Sequence, residues 1–434
     1  MAIRDLALIA LLLSAPSLSA QPAPEDSPLA GTLGDYQRVR AHEPEIDPVT
    51  VDMAAETATR RQRLAEAVGD GVLLVTAHDG AELDRFFQDD NFYYLTAVDI
   101  PDVALAMRVA GGAIEDEVLF LPAYDPRFTI WNGDRLFPGP DAERATGVRR
   151  TAELGDAATT LAELLGDDTM LQTLGEPKVA VPDGVEIDER SLRGAIAGLR
   201  LIKSDYETRC LRTAIDITCA GLRNALYEVA PGNFEYQAQG AIEGTFLRLG
   251  AERVGFATIC GSGPNSVTLH YAANRRRMED GELMVMDVGA KYQYYTADVT
   301  RTVPINGRFT ERQREIYEIV LEAQRLAEAA AKPGVSMTEL DQIARTYITE
   351  QGYAKDFKHG LGHWIGMNVH DVGGRVPMEV GTLFTIEPGI YLTDEALGVR
   401  IEDDYLMTEH GAVKLSASVP SDPDALEALM ASLR

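Results

Sequence analysis

The 434-residue chain is poor in cysteine, tryptophan and histidine, with three, two and seven of each. Cys210, Cys219 and Cys260 are odd in number and form no Cys-x-x-Cys pair. They do not read as a disulfide framework, and small buried apolar residues are their expected role. Basic residues are also in deficit. Forty Lys and Arg face 68 Asp and Glu, for a net charge of −28. So acidic a chain argues against nucleic acid or an anionic membrane surface as partner. Most of the excess acid keeps the surface solvated. The apolar run Leu6 to Leu13 is too short to span a bilayer stably. It follows Arg4 and gives way to small residues ending at Ala20, the order of a secretory signal peptide over residues 1–20. Cleavage after Ala20 predicts an exported protein, periplasmic or secreted, with no stable membrane span after processing. No Cys follows the run, which argues against a lipoprotein.

A hydrophobic content of 45% and a charged content of 25% are ordinary for a soluble globular protein, and the length favours two or more domains. Residues 21–53 are rich in Pro, Ala, Asp and Glu and lack periodicity, so they read as an arm. Residues 54–195 read as a small α/β domain. It has a helix over Thr57–Val68 and strands over Gly71–Thr76, Val103–Val109 and Glu117–Pro122. In residues 196–434 three capping boxes open helices: Ser204 with Glu207, Thr310 with Gln313, and Ser336 with Glu339. Pro231-Gly232, Pro333-Gly334 and Gly352 are their expected stops.

This second part reads as two copies of one unit. Gly281-x-Leu283-x-x-x-Asp287-x-Gly289 recurs one hundred positions on as Gly381-x-Leu383-x-x-x-Glu387-x-Gly389. His270 and His370 share that offset. Pro231-Gly232 recurs as Pro333-Gly334, and the closing glycines are Gly250 and Gly352. Each copy supplies an apolar strand ending in one acid, which places Asp287 and Glu387 near a pseudo-twofold axis. Asp298 follows Asp287 after Tyr292-Gln-Tyr-Tyr295, a turn that lets a hairpin bring both acids together.

With His363 and Glu402, these acids have the identities and order of a dinuclear metal site. Carboxylates bridge as well as cap, so Asp287, Asp298, His363, Glu387 and Glu402 can hold two divalent cations. An oxygen-dominated set suits manganese or magnesium more than copper. A hydroxide held between two metals is a nucleophile at neutral pH, which points to a hydrolase. His359 and His363 are four apart, as in the zinc helix His-Glu-x-x-His, but the Glu is missing and two glycines intervene. His359, His363 and His370 cluster within twelve positions, so His370 is expected to face the site.

The segments Leu269-His-Tyr271, Asp287-Val-Gly-Ala290, Asp298-Val-Thr-Arg-Thr302, His359-Gly-Leu-Gly-His-Trp364, Val369-His-Asp371, Glu387-Pro-Gly-Ile-Tyr391 and Val399-Arg-Ile-Glu-Asp-Asp404 resemble the pita-bread metallopeptidases. That family includes methionine aminopeptidase, aminopeptidase P and prolidase, and the resemblance is closest to aminopeptidase P. Phe87-Gln-Asp-Asp-Asn-Phe-Tyr-Tyr-Leu-Thr96 and Trp131-Asn-Gly-Asp-Arg135 extend it to the amino-terminal part. The resemblance implies an α+β fold, with a duplicated pita-bread domain behind a smaller α/β domain. It implies two divalent ions, manganese above all, with Glu387 shuttling the proton. His270 and His370 would stabilise the carbonyl oxygen, His359 would contact the substrate, and Arg400 would order the site near Glu402. The expected substrate is a peptide with proline in second position, and the expected assembly is a homodimer or homotetramer. Tyr271, Trp364 and Tyr391 adjoin motif residues and can supply the apolar wall a proline ring needs, while each taken singly reads as plain core. An Xaa-Pro dipeptidase shares every ligand. A metal-free peptide-binding protein on the same fold would have lost ligands, and none is lost.

Overall fold

The computed structural model describes residues 43–78 and 86–433. The signal-peptide reading and most of the arm lie outside these residues. From Ile46 onward the chain clusters as one compact unit.

Its amino-terminal part is one six-stranded sheet. The strands are β1 (Gly71–Thr76), β2 (Ala104–Ala110), β3 (Ala113–Leu121), β4 (Arg150–Glu153), β5 (Met170–Leu174) and β6 (Glu186–Asp188), in the order β4-β3-β2-β1-β5-β6. Alternate residues of the central strands face opposite ways, and both faces are covered. Leu74, Val118 and Phe120 pack with Leu161 on one face. Leu73, Leu105 and Leu119 pack on the other, in a core that also holds Tyr294, Tyr295, Ile365 and Leu383 of the carboxy-terminal part. The strand expected from Glu117 starts earlier, at Ala113. Its polar first residues pair with β2 across a bulge at Arg108/Val109, so ladder bonding rather than apolarity sets its start. The Met53–Val68 helix is capped by Asp52 and stops at Gly69, whose φ is 76°.

In the carboxy-terminal part all three expected capping boxes form, on the helices Asp205–Ala225, Glu311–Ala330 and Met337–Glu350. The first helix ends at Ala225, short of the expected Pro231. There the Leu226 amide turns back to Arg223 and Asn224, tightening the last turn before the proline acts. The strands are β7 (Arg253–Val254), β8 (Ile259–Ser262), β9 (Leu283–Val288), β10 (Ala290–Tyr292), β11 (Tyr295–Thr296), β12 (Val299–Pro304), β13 (Leu383–Ile386), β14 (Gly389–Leu392), β15 (Leu397–Arg400), β16 (Asp403–Thr408) and β17 (Gly411–Lys414).

The duplication is visible bond by bond. Gly232 N donates to Met278 O at 2.9 Å and Met278 N to Asn233 O at 2.8 Å. Gly334 N and Met378 N repeat this with Met378 O and Val335 O, both at 2.8 Å. Each copy thus closes its helix pair onto the loop before its acid-bearing strand, β9 in one copy and β13 in the other. Cys210, Cys219 and Cys260 are buried free thiols, as expected.

Candidate metal centre

Asp287 is the next-to-last residue of β9 and sits opposite Thr300 on β12. Between these strands β10 and β11 form a hairpin whose turn residues, Gln293 and Tyr294, have φ of 46° and 70°. Two left-handed residues match the right-handed twist of flanking strands. Tyr294 holds that strained turn in place. Its ring stacks on Tyr93 at 3.6 Å, and its hydroxyl donates to Asp99 Oδ1 and accepts from the Gln88 amide. The chain returns with Asp298 beside β9, where its amide donates to Asp404 Oδ2.

His363 arrives on an extended segment along β13, not on a helix. The Thr385 amide donates to His363 O at 2.9 Å, and the Glu387 amide to Leu361 O at 2.7 Å. A Cβ on Gly362 would lie 2.1 Å from Thr385 O, so only glycine permits this approach. Glu387 follows β13 directly. Glu402 lies between β15 and β16, where Arg301 donates to its backbone carbonyl at 2.7 Å.

All five expected ligands line one cavity of about 540 Å³, together with His270, His359, His370 and Arg400. His363 Nε2 lies 3.4 Å from Asp298 Oδ2, 3.4 Å from Glu387 Oε1 and 4.0 Å from Glu402 Oε1. Ligand atoms of Asp298, His363 and Glu402 lie within 4.8 Å of one another. Asp287 Oδ1, Asp298 Oδ1 and Glu402 Oε1 are buried without a hydrogen-bond partner. Orphaned carboxylate oxygens are costly unless something positive meets them. Two divalent cations fit this donor set.

The electrostatics agree. Burial, then Glu402 and Asp287, push the Asp298 carboxyl well above its ordinary range. Burial and Glu402 do the same to Glu387. Burial and Asp287 raise Glu402 to about 8. Burial, then His370, lowers His363 to about 4, so its imidazole is neutral at pH 7. Its Nδ1 lies 3.2 Å from Trp364 O, which leaves Nε2 as the free lone pair, the state a metal ligand needs.

Arg400 ties this centre together. It donates to Asp287 Oδ2 at 2.5 Å, to the Tyr391 hydroxyl at 2.9 Å and to Thr300 Oγ1 at 3.2 Å. Thr300 Oγ1 in turn donates to Glu402 Oε2 at 2.7 Å. Arg400 therefore reaches Glu402 through Thr300, a link that sequence reasoning missed. His359 Nε2 lies 2.8 Å from the Tyr391 hydroxyl and its Nδ1 2.8 Å from Gly360 O.

Of the two readings of Tyr271, Trp364 and Tyr391, the cavity wall is not the one that forms: none of the three lines the cavity. Tyr271 points its hydroxyl at Glu235, Trp364 donates to Gly374 O, and Tyr391 is buried against Arg400 and His359. A phenol or indole seeks a polar partner. Tyr271 and Trp364 find theirs away from the cavity, and Tyr391 lies behind two cavity residues, Arg400 and His359. The apolar lining comes instead from Phe256, Ile259, Leu269 and Val369. Leu269 and Val369 precede His270 and His370, a signal the repeat carried. Nothing local marked Phe256.

Residues 209–409 match the family model of metallopeptidase family M24, and residues 57–171 that of the aminopeptidase P N-terminal domain. The Xaa-Pro aminopeptidase of Haemophilus influenzae is 36% identical over 387 residues, covering 80% of this chain and 88% of that protein. The chain belongs to the aminopeptidase P family. A structure of an Escherichia coli aminopeptidase P variant in complex with substrate aligns with a TM-score of 0.80 at 32% identity, covering 88% of this chain and 99% of that one. The family's pita-bread fold, with its amino-terminal domain in front, is therefore the fold of this chain. The Xaa-Pro dipeptidase of Pyrococcus horikoshii is 41% identical over 226 residues, but these cover only 51% of this chain and 64% of that protein.

Proposed function

We propose that this metallopeptidase removes the first residue from peptides with proline in second position. One observation carries the reading: the likeness to Xaa-Pro aminopeptidases runs through both parts of the chain. The likeness to the dipeptidase covers only about half of it. Asp287, Asp298, His363, Glu387 and Glu402 would hold two divalent ions, with manganese the best match to four carboxylates and one imidazole. When bound there, such ions would lower the pKa of water enough to make it a nucleophile at neutral pH and would polarise the scissile carbonyl.

The chain's own groups do the rest. Glu387, which lines the cavity beside His363, takes the proton of the attacking water and passes it to the leaving amine. His270 and His370 donate to the carbonyl oxygen as charge develops on it. His359 faces the substrate from its anchor on Tyr391. Phe256, Ile259, Leu269 and Val369 shelter the pyrrolidine ring, which offers no N–H and asks only for an apolar surface. The domain boundaries that suit this division are 54–195 and 196–434. Ile130 and Trp131, 80% and 86% exposed, support a dimer or tetramer that covers them.

The purified enzyme, chelated and reloaded with manganese, is expected to cleave Ala-Pro-Ala and to leave Ala-Ala-Ala intact. Cleavage of Ala-Pro alone moves the assignment to a dipeptidase. Equal rates on the two tripeptides refute proline recognition.

Export is part of the proposal. Among the described residues no helix is long and apolar enough to cross a membrane. Intact-mass measurement on protein from its native host is expected to give a chain starting near Gln21. A chain still carrying Leu6 to Leu13 overturns the signal-peptide reading.

A further inference from the structure

His270 and His370 hold matching places in the two copies, and both line the cavity. The residue after each one turns away and is anchored by a buried charge outside the loop. Tyr271 donates its hydroxyl to Glu235 Oε2 at 2.8 Å. Glu235, fully buried at the start of the Glu235–Arg248 helix, also accepts from the Ser262 amide, Ser262 Oγ, Asn265 Nδ2 and the Arg276 amide, at 2.7–3.0 Å. One carboxylate thus closes the whole segment that presents His270.

In the other copy the Asp371 side chain is 1% exposed. Arg200 Nη2 donates to its Oδ1 at 2.5 Å, and Lys203 Nζ lies 3.4 Å from its Oδ2. The Asp371 amide donates to Trp364 O at 2.9 Å. A Cβ on Gly366 would lie 2.0 Å from Asp371 Oδ2, so only glycine lets the carboxylate pack this closely. Arg200 Nη1 donates to Asn91 Oδ1 at 2.6 Å, which carries the anchor into the amino-terminal part.

We infer that Tyr271 and Asp371 are positioning residues that aim His270 and His370 at the reacting carbonyl, through Glu235 on one side and Arg200 on the other. The inference rests on the role proposed for the two histidines. The chemistry of the anchors differs between the copies, phenol to carboxylate in one and carboxylate to guanidinium in the other. Their place relative to the histidine is the same, so the shared requirement is the histidine's aim rather than one particular bond. An ångström of misplacement in such a donor is costly to the rate.

The experiment is a double-mutant cycle on the manganese-loaded full chain. Tyr271→Phe removes one hydroxyl and leaves Glu235 its other four donors, so the protein folds. It is expected to lower kcat roughly tenfold with KM within about twofold, and to keep wild-type metal content and Tm. In a His270→Ala background the same change is expected to have no further effect. Asp371→Asn is read in the same way against His370→Ala. A further fall of equal size in the His270→Ala background, or a fall in Tm or metal content that accounts for the lost rate, overturns the inference. If His270→Ala alone leaves kcat intact, the histidine's role has failed instead, and the single mutant shows it.

Discussion

Glu402→Ala protein is expected to lose peptidase activity to background and to bind fewer than two metal ions per chain. Glu402 is almost fully buried. One of its oxygens is held by Thr300, and the other has no partner among the protein's own groups. Its removal takes away a donor on the cavity floor and leaves Asp298 and Asp287 to repel each other. Chelation of the wild type is expected to have the same effect, with activity restored by manganese. Full activity in metal-free protein sinks the dinuclear reading. The same acids set a pH dependence. The Glu402 carboxyl is raised from 4.5 to about 8 in the fold. A group raised on folding favours the fold below its unfolded value and ceases to do so as pH rises through the folded one. His363 and His359, each lowered from 6.5 to about 4, act with the opposite sign below pH 6.5. Metal-free protein is therefore expected to lose stability between about pH 6.5 and pH 8, by on the order of 2 kcal/mol. Bound cations remove that loss, because they meet the charge that repels. Thermal melts with and without chelator, taken across that window, read both effects. A metal-free Tm flat with pH contradicts the electrostatic account.

His370→Ala is expected to lower kcat by on the order of 10²–10³-fold, the usual cost of one oxyanion donor, with KM little changed. Its ring lies 4.3 Å from that of His363, centroid to centroid, so it borders the ligand sphere. Metal content measured beside the kinetics decides the role. If it stays at the wild-type level, His370 acts on the transition state. If it falls in step with activity, His370 is a ligand or a strut, and the assignment fails. His270→Ala is expected to follow the same pattern.

What could be read from the chain divides by the range of the interaction. The three capping boxes are local, and all three formed. The hairpin between Asp287 and Asp298 was legible because its turn lies inside a four-residue window. The five ligands were legible as a set because the repeat links Asp287 to Glu387. Spacing could not decide between wall and core for Tyr271, Trp364 and Tyr391, because an aromatic side chain goes where its polar atom finds a partner. Those partners, Glu235, Gly374 and Arg400, are set by tertiary structure. The helix beginning at Asp205 ended before its proline for a similar reason: a tightened turn leaves no mark in composition. The route from Arg400 through Thr300 to Glu402 depends on strand register, which spacing alone does not give.

The turn that returns Asp298 to the cavity is fastened to the other half of the molecule. Tyr294 leans on Tyr93, Asp99 and Gln88. Its neighbour Tyr295 donates to the buried Glu207 and accepts from Arg60 of the Met53–Val68 helix. Cut away from residues 54–195, the carboxy-terminal half would keep every ligand in its sequence. It would lose the clamp on one of them, and Glu207 would be stripped of its guanidinium. The amino-terminal half is thus part of the mould in which the metal site is cast. A chimera that exchanges it between relatives would transplant ligand geometry along with any change in substrate access.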